Sequence, residues 1–207
     1  GGIYVTSDKT AVNVEVISGT IQHNTCDVNG GGICVDMSGT SVAANIKMGE
    51  TGSEDDAGPN VIANEAVMFG GGLYAKGENA VITINSGQIM HNSVANYVPN
   101  ENVYNDLGTV TLNGGNVTYV TITFDANAYK EENVRDDTAL LDGSPTAIQK
   151  VVTDTKNKLV QPSIIDRANY NFMGWNTLPD GKGAAYTNGQ VINLKENLTL
   201  YAQWEHQ

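Results

Sequence analysis

Apolar and polar positions alternate in short runs through the first part of the chain: "VNVEV" at 12–16, "VAANI" at 42–46, "VITI" at 81–84 and "TVTL" at 109–112. Alternation of this kind predicts strands with one buried face, since successive side chains point to opposite sides of a sheet. Ahead of each run stands an apolar–X–apolar triplet, most often behind paired glycines: "GGIYV" from Gly1, "GGICV" from Gly31, "GGLYA" from Gly71 and "ENVYN" from Glu101. Behind the first three runs comes a third phrase, "SGTIQHN" at 18–24, "PNVIANE" at 59–65 and "SGQIMHN" at 86–92. The triplet phrases recur every 30 residues once "GETGSEDDAG" at 49–58 is set aside as a polar surface loop.

Three short strands per period cannot bury a core by themselves. Stacked coils can, because each coil pairs edge to edge with the next and adds its inward side chains to a common column. The expected fold is therefore all-β, a right-handed parallel β-helix with about 30 residues per coil, the hand following from the general preference of parallel crossovers. Inward positions are Ile3, Val5, Val12, Val14, Val16, Ile21, Ile33, Val35, Val42, Ile46 and Ile62. Leu73, Ala75, Ile82, Ile84, Ile89, Val103, Val110 and Leu112 continue the column. Asn24, Asn64 and Asn92 each stand three residues after an aliphatic residue, Ile21, Val61 and Ile89. Stacked Asn at equivalent turns tolerates left-handed backbone and bonds its neighbours above and below.

Charge narrows the function classes. The chain carries 23 Asp+Glu against 11 Lys+Arg, a formal charge of −12, which argues against nucleic acid or anionic lipid as partners. No apolar run is long enough for a membrane span. Up to Tyr119 there is no Arg, and the Lys residues are Lys9, Lys47 and Lys76. A β-helical lyase needs a cationic base and gathers an acidic polysaccharide, so this balance opposes it. Asp27 and Asp36 flank a Gly-rich turn, but no carboxylate pair with glycosidase spacing recurs on one strand face. No catalytic residues and no cofactor are expected. Cys26 and Cys34 fit neither a disulfide framework nor a zinc site, and remain either packed thiols or one disulfide.

Three features bear on binding. Glu50, Glu54, Asp55 and Asp56 crowd the polar loop and are weak Ca²⁺ candidates, though the spacing is not that of an EF-hand. His23 and His91 flank the Asn column and read as turn residues, not metal ligands. Tyr4, Tyr74 and Tyr104 occupy the middle of their triplets, so alternation points them outward as an exposed ladder and a ligand-binding candidate.

The Gly-Gly-aliphatic and aliphatic-X-X-Asn phrases of residues 1–116 resemble the repeats of polymorphic outer-membrane proteins and related β-helical bacterial adhesins. After Tyr119 the rhythm stops. Phe124–Asp125–Ala126–Asn127, then Tyr170, Phe172, Gly174 and Trp175, and finally "LYAQW" at 200–204 resemble the Listeria–Bacteroides repeat, a module related to internalin B-repeats. "DANAYK" replaces the family's Asn-Gly-Gly turn, and Asn169 stands where Gly is common. This resemblance implies a small β-grasp-like (α+β) domain over 120–207, following the β-helix of 1–119, with Tyr170, Phe172, Trp175, Tyr186 and Trp204 in its core. Since the chain opens in mid-pattern, it reads as part of a longer multidomain polypeptide. Together the two resemblances imply a non-enzymatic segment of an exported bacterial surface protein, extracellular or at the cell surface. It would act as an adhesin or stalk presenting faces to a host surface protein or glycan. A carbohydrate-active β-helix enzyme and a purely structural spacer are the alternatives.

Overall fold

The computed structural model describes residues 1–95, 102–131 and 134–207. Glu101, the first residue of the last triplet phrase, lies outside them. The chain divides into two compact units. The first comprises Gly1–Tyr119, Val151–Asn157 and Val191–Asn193; the second comprises Val120–Lys150, Lys158–Gln190 and Leu194–Gln207.

The first unit is a parallel β-helix. Ile3–Val5, Ile33–Asp36, Leu73–Lys76 and Val103–Asp106 form its first sheet, in coil order and wholly parallel. The alternating runs form the second, from Val12–Val16, Ala44–Met48, Ala80–Ile84 and Thr109–Leu112. Thr20–Gln22, Asn60–Ile62 and Gln88–Met90 make the third. A fourth sheet was not expected: Thr25–Cys26, Glu65–Ala66 and Ser93–Val94 also pair in parallel. Two residues are too few to show a period, so the Asn-His phrase reads as a turn while the chain is already entering another strand.

Registers explain the core. Ile3, Ile33, Leu73 and Val103 stack in one column, and Val14, Ile46, Ile82 and Val110 in another. The members in the middle coils are almost wholly buried, each worth about 1.5–3 kcal/mol. One inward assignment is corrected. Ile62 lies in register with Gln22 and Met90 on the half-exposed side, while its neighbour Val61 joins Ile21 and Ile89 inside and is fully buried. In "NVI" two adjacent aliphatic residues compete for one inward position, and the Asn three residues after Val61 marks the winner.

The stretch Val151–Asn157, expected in the second domain, completes the first unit. Lys156 bridges Asp106 in parallel, donates its N–H to Asn105 O (2.9 Å) and accepts from Leu107 N (3.1 Å). It thus adds a fifth rung to the first sheet, where an uncovered strand would otherwise present unpaired groups. The inward column turns polar beneath this rung: Asn105 is buried and donates to Gly108 O (3.0 Å) and Asn157 Oδ1 (3.2 Å).

The second unit is built on a five-stranded sheet in the order Thr146–Val152, Tyr119–Asp125, Leu198–His206, Tyr170–Asn176, Ala185–Tyr186. Tyr119–Asp125 runs parallel to Leu198–His206, and Tyr170–Asn176 antiparallel to it. No helix occurs among the described residues, so the α+β expectation gives way to an all-β unit. Between the first strand and the Trp motif the described residues make the sheet strand Thr146–Val152, otherwise only two- and three-residue strands and Asp/Gly turns, with no helical period to sustain a helix. The register shifts between Phe172 and Gly174, whose φ is +128°. That extra residue returns Trp175 to the face occupied by Phe172. Asn169, in the place where Gly is common, takes φ 66°, a conformation Asn tolerates better than most residues.

Candidate functional site

The best-defined outward feature of the first unit sits at the glycine corners. Gly32 N donates to Gly71 O (2.9 Å) and Ile33 N to Gly72 O (2.8 Å), so the Gly-Gly pairs of successive coils touch backbone to backbone. A Cβ on Gly31 would lie 2.4 Å from Glu65 O, and one on Gly72 2.5 Å from Asn102 O. These glycines are required by close approach, not by a ligand.

Immediately after the corner, Tyr4, Cys34, Tyr74 and Tyr104 form one column of the first sheet. The expectation of a uniformly exposed ladder fails. Tyr4 is 65% exposed, but Tyr74 is 4% exposed and Tyr104 only half so. Phe69, on the segment entering the third coil, lies 4.4 Å from the Tyr104 ring, and Tyr104 stacks on Tyr74 at 6.0 Å. Alternation tells which face of a sheet a side chain takes, but not whether a neighbouring segment folds over that face.

Polar groups around the column are engaged with one another. Tyr74 Oη donates to Asp106 Oδ2 (3.3 Å), Lys156 Nζ reaches Asp106 Oδ1 at 2.8 Å, and Lys76 Nζ lies 3.6 Å from Asp36 Oδ2. Acidic and basic residues therefore alternate down the column as Asp36, Lys76, Asp106 and Lys156. Burial, reinforced by Asp106, pushes the Tyr74 phenol up. Burial and the nearby Asp36 carboxylate push the Cys34 thiol up to about 11. Both groups stay protonated at neutral pH, which leaves them unsuited to nucleophilic chemistry. Burial alone would raise Asp36, but the Ser38 hydroxyl and amide and the Lys76 ammonium outweigh it and hold the carboxyl below its usual range.

The remaining sequence candidates have structural partners. Asn24, Asn64 and Asn92 do form a ladder: Asn24 N and Nδ2 donate to Asn64 Oδ1 (3.1 and 2.9 Å), and Asn64 N and Nδ2 donate to Asn92 Oδ1 (both 3.0 Å). Asn102, which follows no aliphatic-X-X pattern, accepts from Asn92 as a further rung. His23, Ala63 and His91 occupy equivalent left-handed positions, with φ of 55°, 53° and 56°. Cys26 and Cys34 are both free thiols. Glu50, Glu54, Asp55 and Asp56 are exposed, and among the described residues no group of three or more His, Cys, Asp or Glu gathers as a metal site. Asp55 instead accepts from Gly115 N through Oδ1 (2.8 Å).

In the second unit the aromatic residues pack on each other. Trp175 is buried, with Phe124 at 4.7 Å and Phe172 at 5.1 Å, and its indole N–H donates to Gln161 Oε1 (3.2 Å). Phe172 lies 5.7 Å from Trp204, whose Nε1 donates to Ala126 O (2.7 Å). Tyr186 pairs with Trp175 across the sheet edge. Arg167, not anticipated, covers the Tyr170 ring at 3.7 Å and donates to Asp136 Oδ2 (3.0 Å). Arg135 grips Asp125 with two bonds of 2.9 and 2.8 Å. An opposite charge far away in sequence leaves no local signal, so neither pair was legible.

The strand Tyr119–Asp125, the Trp motif and the closing strand thus form one construction, with Phe124, Trp175 and Leu200 at its centre. Residues 119–203 match the Listeria-Bacteroides repeat domain. This repeat is found in surface proteins. Its matched span includes Val151–Asn157, the stretch that supplies the fifth rung of the first unit. No curated protein and no solved structure matches the chain.

Proposed function

We propose that the chain is a non-enzymatic segment of an exported bacterial surface protein, in which the β-helix serves as a stiff stalk presenting outward faces. The carrying observation is the pairing of a parallel β-helix with a Listeria-Bacteroides repeat. The chemistry around the outward column supports it, since the Tyr74, Asp106, Lys156, Asp36 and Lys76 side chains are occupied with each other and not aimed at a common open point. Binding to host-matrix proteins or glycans is the adhesive form of this reading, with Tyr4 as the exposed aromatic contact. A spacer without a ligand of its own is the second form, favoured by the covering of Tyr74.

Glycan and matrix-protein arrays probed with the intact chain separate the two. Binding that falls at least tenfold in Tyr4→Ala supports adhesion through this column. Absence of binding leaves the spacer. Release of unsaturated or reducing ends from a polysaccharide panel would overturn the non-enzymatic reading altogether.

A further inference from the structure

The loop of residues 49–59 distinguishes the second coil from its neighbours. The first and third coils turn the same corner tightly, through Ser18–Gly19 and Ser86–Gly87. In the second coil the longer connection lies along the side of the stack. Asp55 is its contact residue. The Asp55 carbonyl accepts from Gly87 N in the third coil (2.8 Å), and its carboxylate Oδ1 accepts from Gly115 N in the fourth (2.8 Å). The loop exit is seated as well: Gln88 N donates to Pro59 O (3.0 Å), and a Cβ on Gly87 would lie 2.4 Å from that oxygen. A Cβ on Gly114 would lie 2.3 Å from Asn85 O and 2.9 Å from Asp55 Oδ1, so the carboxylate sits against a corner that the stack's own backbone already keeps free of side chain.

We infer that this acidic loop is a clasp, reaching from the second coil across the third to hold the fourth in register through Asp55. The fourth coil has the most need of it. Its strand Thr109–Leu112 lies at the edge of the second sheet and is less buried than Ala80–Ile84 beside it. In a stack whose sheets bond each coil to its nearest neighbours, a link that skips a coil couples the opening of the end to that of the interior. The carboxylate serves as an acceptor for a backbone amide; Glu50, Glu54 and Asp56 are solvent-exposed companions.

Amide hydrogen exchange on the full chain tests the clasp. Asp55→Ala is expected to speed exchange at Gly115 about five- to tenfold, the scale of one lost, solvent-exposed hydrogen bond, and to speed Leu112 to a lesser degree. Asp55→Asn keeps an acceptor oxygen in the same place and is expected to retain most of the protection. Added CaCl₂ is expected to leave wild-type exchange unchanged. The inference is overturned if Gly115 exchanges equally fast in wild type and Asp55→Ala. It is equally overturned if Asp55→Asn is as open as Asp55→Ala while Ca²⁺ slows exchange in wild type, since the carboxylates would then be acting through a cation.

Discussion

The two units solve the same problem, a β-sheet with a face to bury, by opposite means. The first repeats small solutions: aliphatic side chains of three or four carbons, one Asn per turn, and every sheet parallel with matched registers. The second commits to a few large side chains, with Trp175 and Phe124 buried at its centre and Phe172 and Trp204 packed beside them. In the stack no single residue is indispensable, because each coil restates its neighbour's contacts. In the second unit one indole sits at the meeting point of three strands and has no understudy.

That contrast fixes the order of expected effects. Trp175→Ala is expected to be the most damaging substitution, costing about 3–5 kcal/mol. The loss should appear in chemical denaturation followed by amide exchange, with Ile122, Phe124 and Leu200 losing protection while Ile46 and Ile82 keep theirs. Equal loss at both sets would mean that the units melt as one and would break the comparison.

Asn64→Leu ranks second. Asn64 bonds Ile21 O, Ile62 O and Asn92 Oδ1 through its amide group and accepts twice from Asn24. An isosteric aliphatic side chain leaves buried partners unmet, at about 2–3 kcal/mol. An unchanged melting temperature would show that the ladder is decoration. A loss as large as that of Trp175→Ala would show that the stack, too, depends on single residues.

Acid provides the gentlest probe. In the second unit Thr138 and Arg167 hold the Asp136 carboxyl low, and Arg135 and Asn127 outweigh burial to lower that of Asp125; in the first unit Asp36 is lowered likewise. A carboxyl depressed by folding contributes stability above its unfolded pKa, about 3.9, and that contribution is lost as pH falls through the folded value. Melting temperatures measured from pH 5 down to pH 2 should therefore fall, more steeply for the second unit with its two Arg-paired carboxylates. Asp125→Asn should flatten that slope by a modest amount, because the pair is partly exposed and screened. A slope unchanged by Asp125→Asn would remove this carboxylate from the account.

The legibility of each unit follows from the same contrast. Repetition made the stack readable: an alternating run seen once is ambiguous, but seen four times, each behind the same kind of triplet, it gives the sheets, as with Val14, Ile46, Ile82 and Val110. What repetition does not carry was missed. The fourth sheet is made of two-residue strands, the rung at Lys156 comes from outside the repeat, and Tyr74 is stacked on by Tyr104, on which Phe69 packs from the preceding corner. In the second unit Trp175 was legible as core, while Tyr170, Phe172, Tyr186 and Trp204, expected beside it, are only half-buried; Arg167 on Asp136 and Arg135 on Asp125 join positions with no shared pattern. The candidate site was legible as a column and not as a surface.

The Asn ladder has a consequence for how such a protein changes over generations. Each rung hands its N–H and its amide to the oxygen of the next, always in the same sense. A chain of identical, same-facing steps accepts one more step, or one fewer, without altering those on either side. Duplication or loss of a whole coil outside the span of the Asp55 clasp would thus shift the reach of the stack by about 4.8 Å while leaving the remaining Asn rungs chemically as they were. Length becomes a countable trait, set by the number of rungs and separate from the residues on the outward faces.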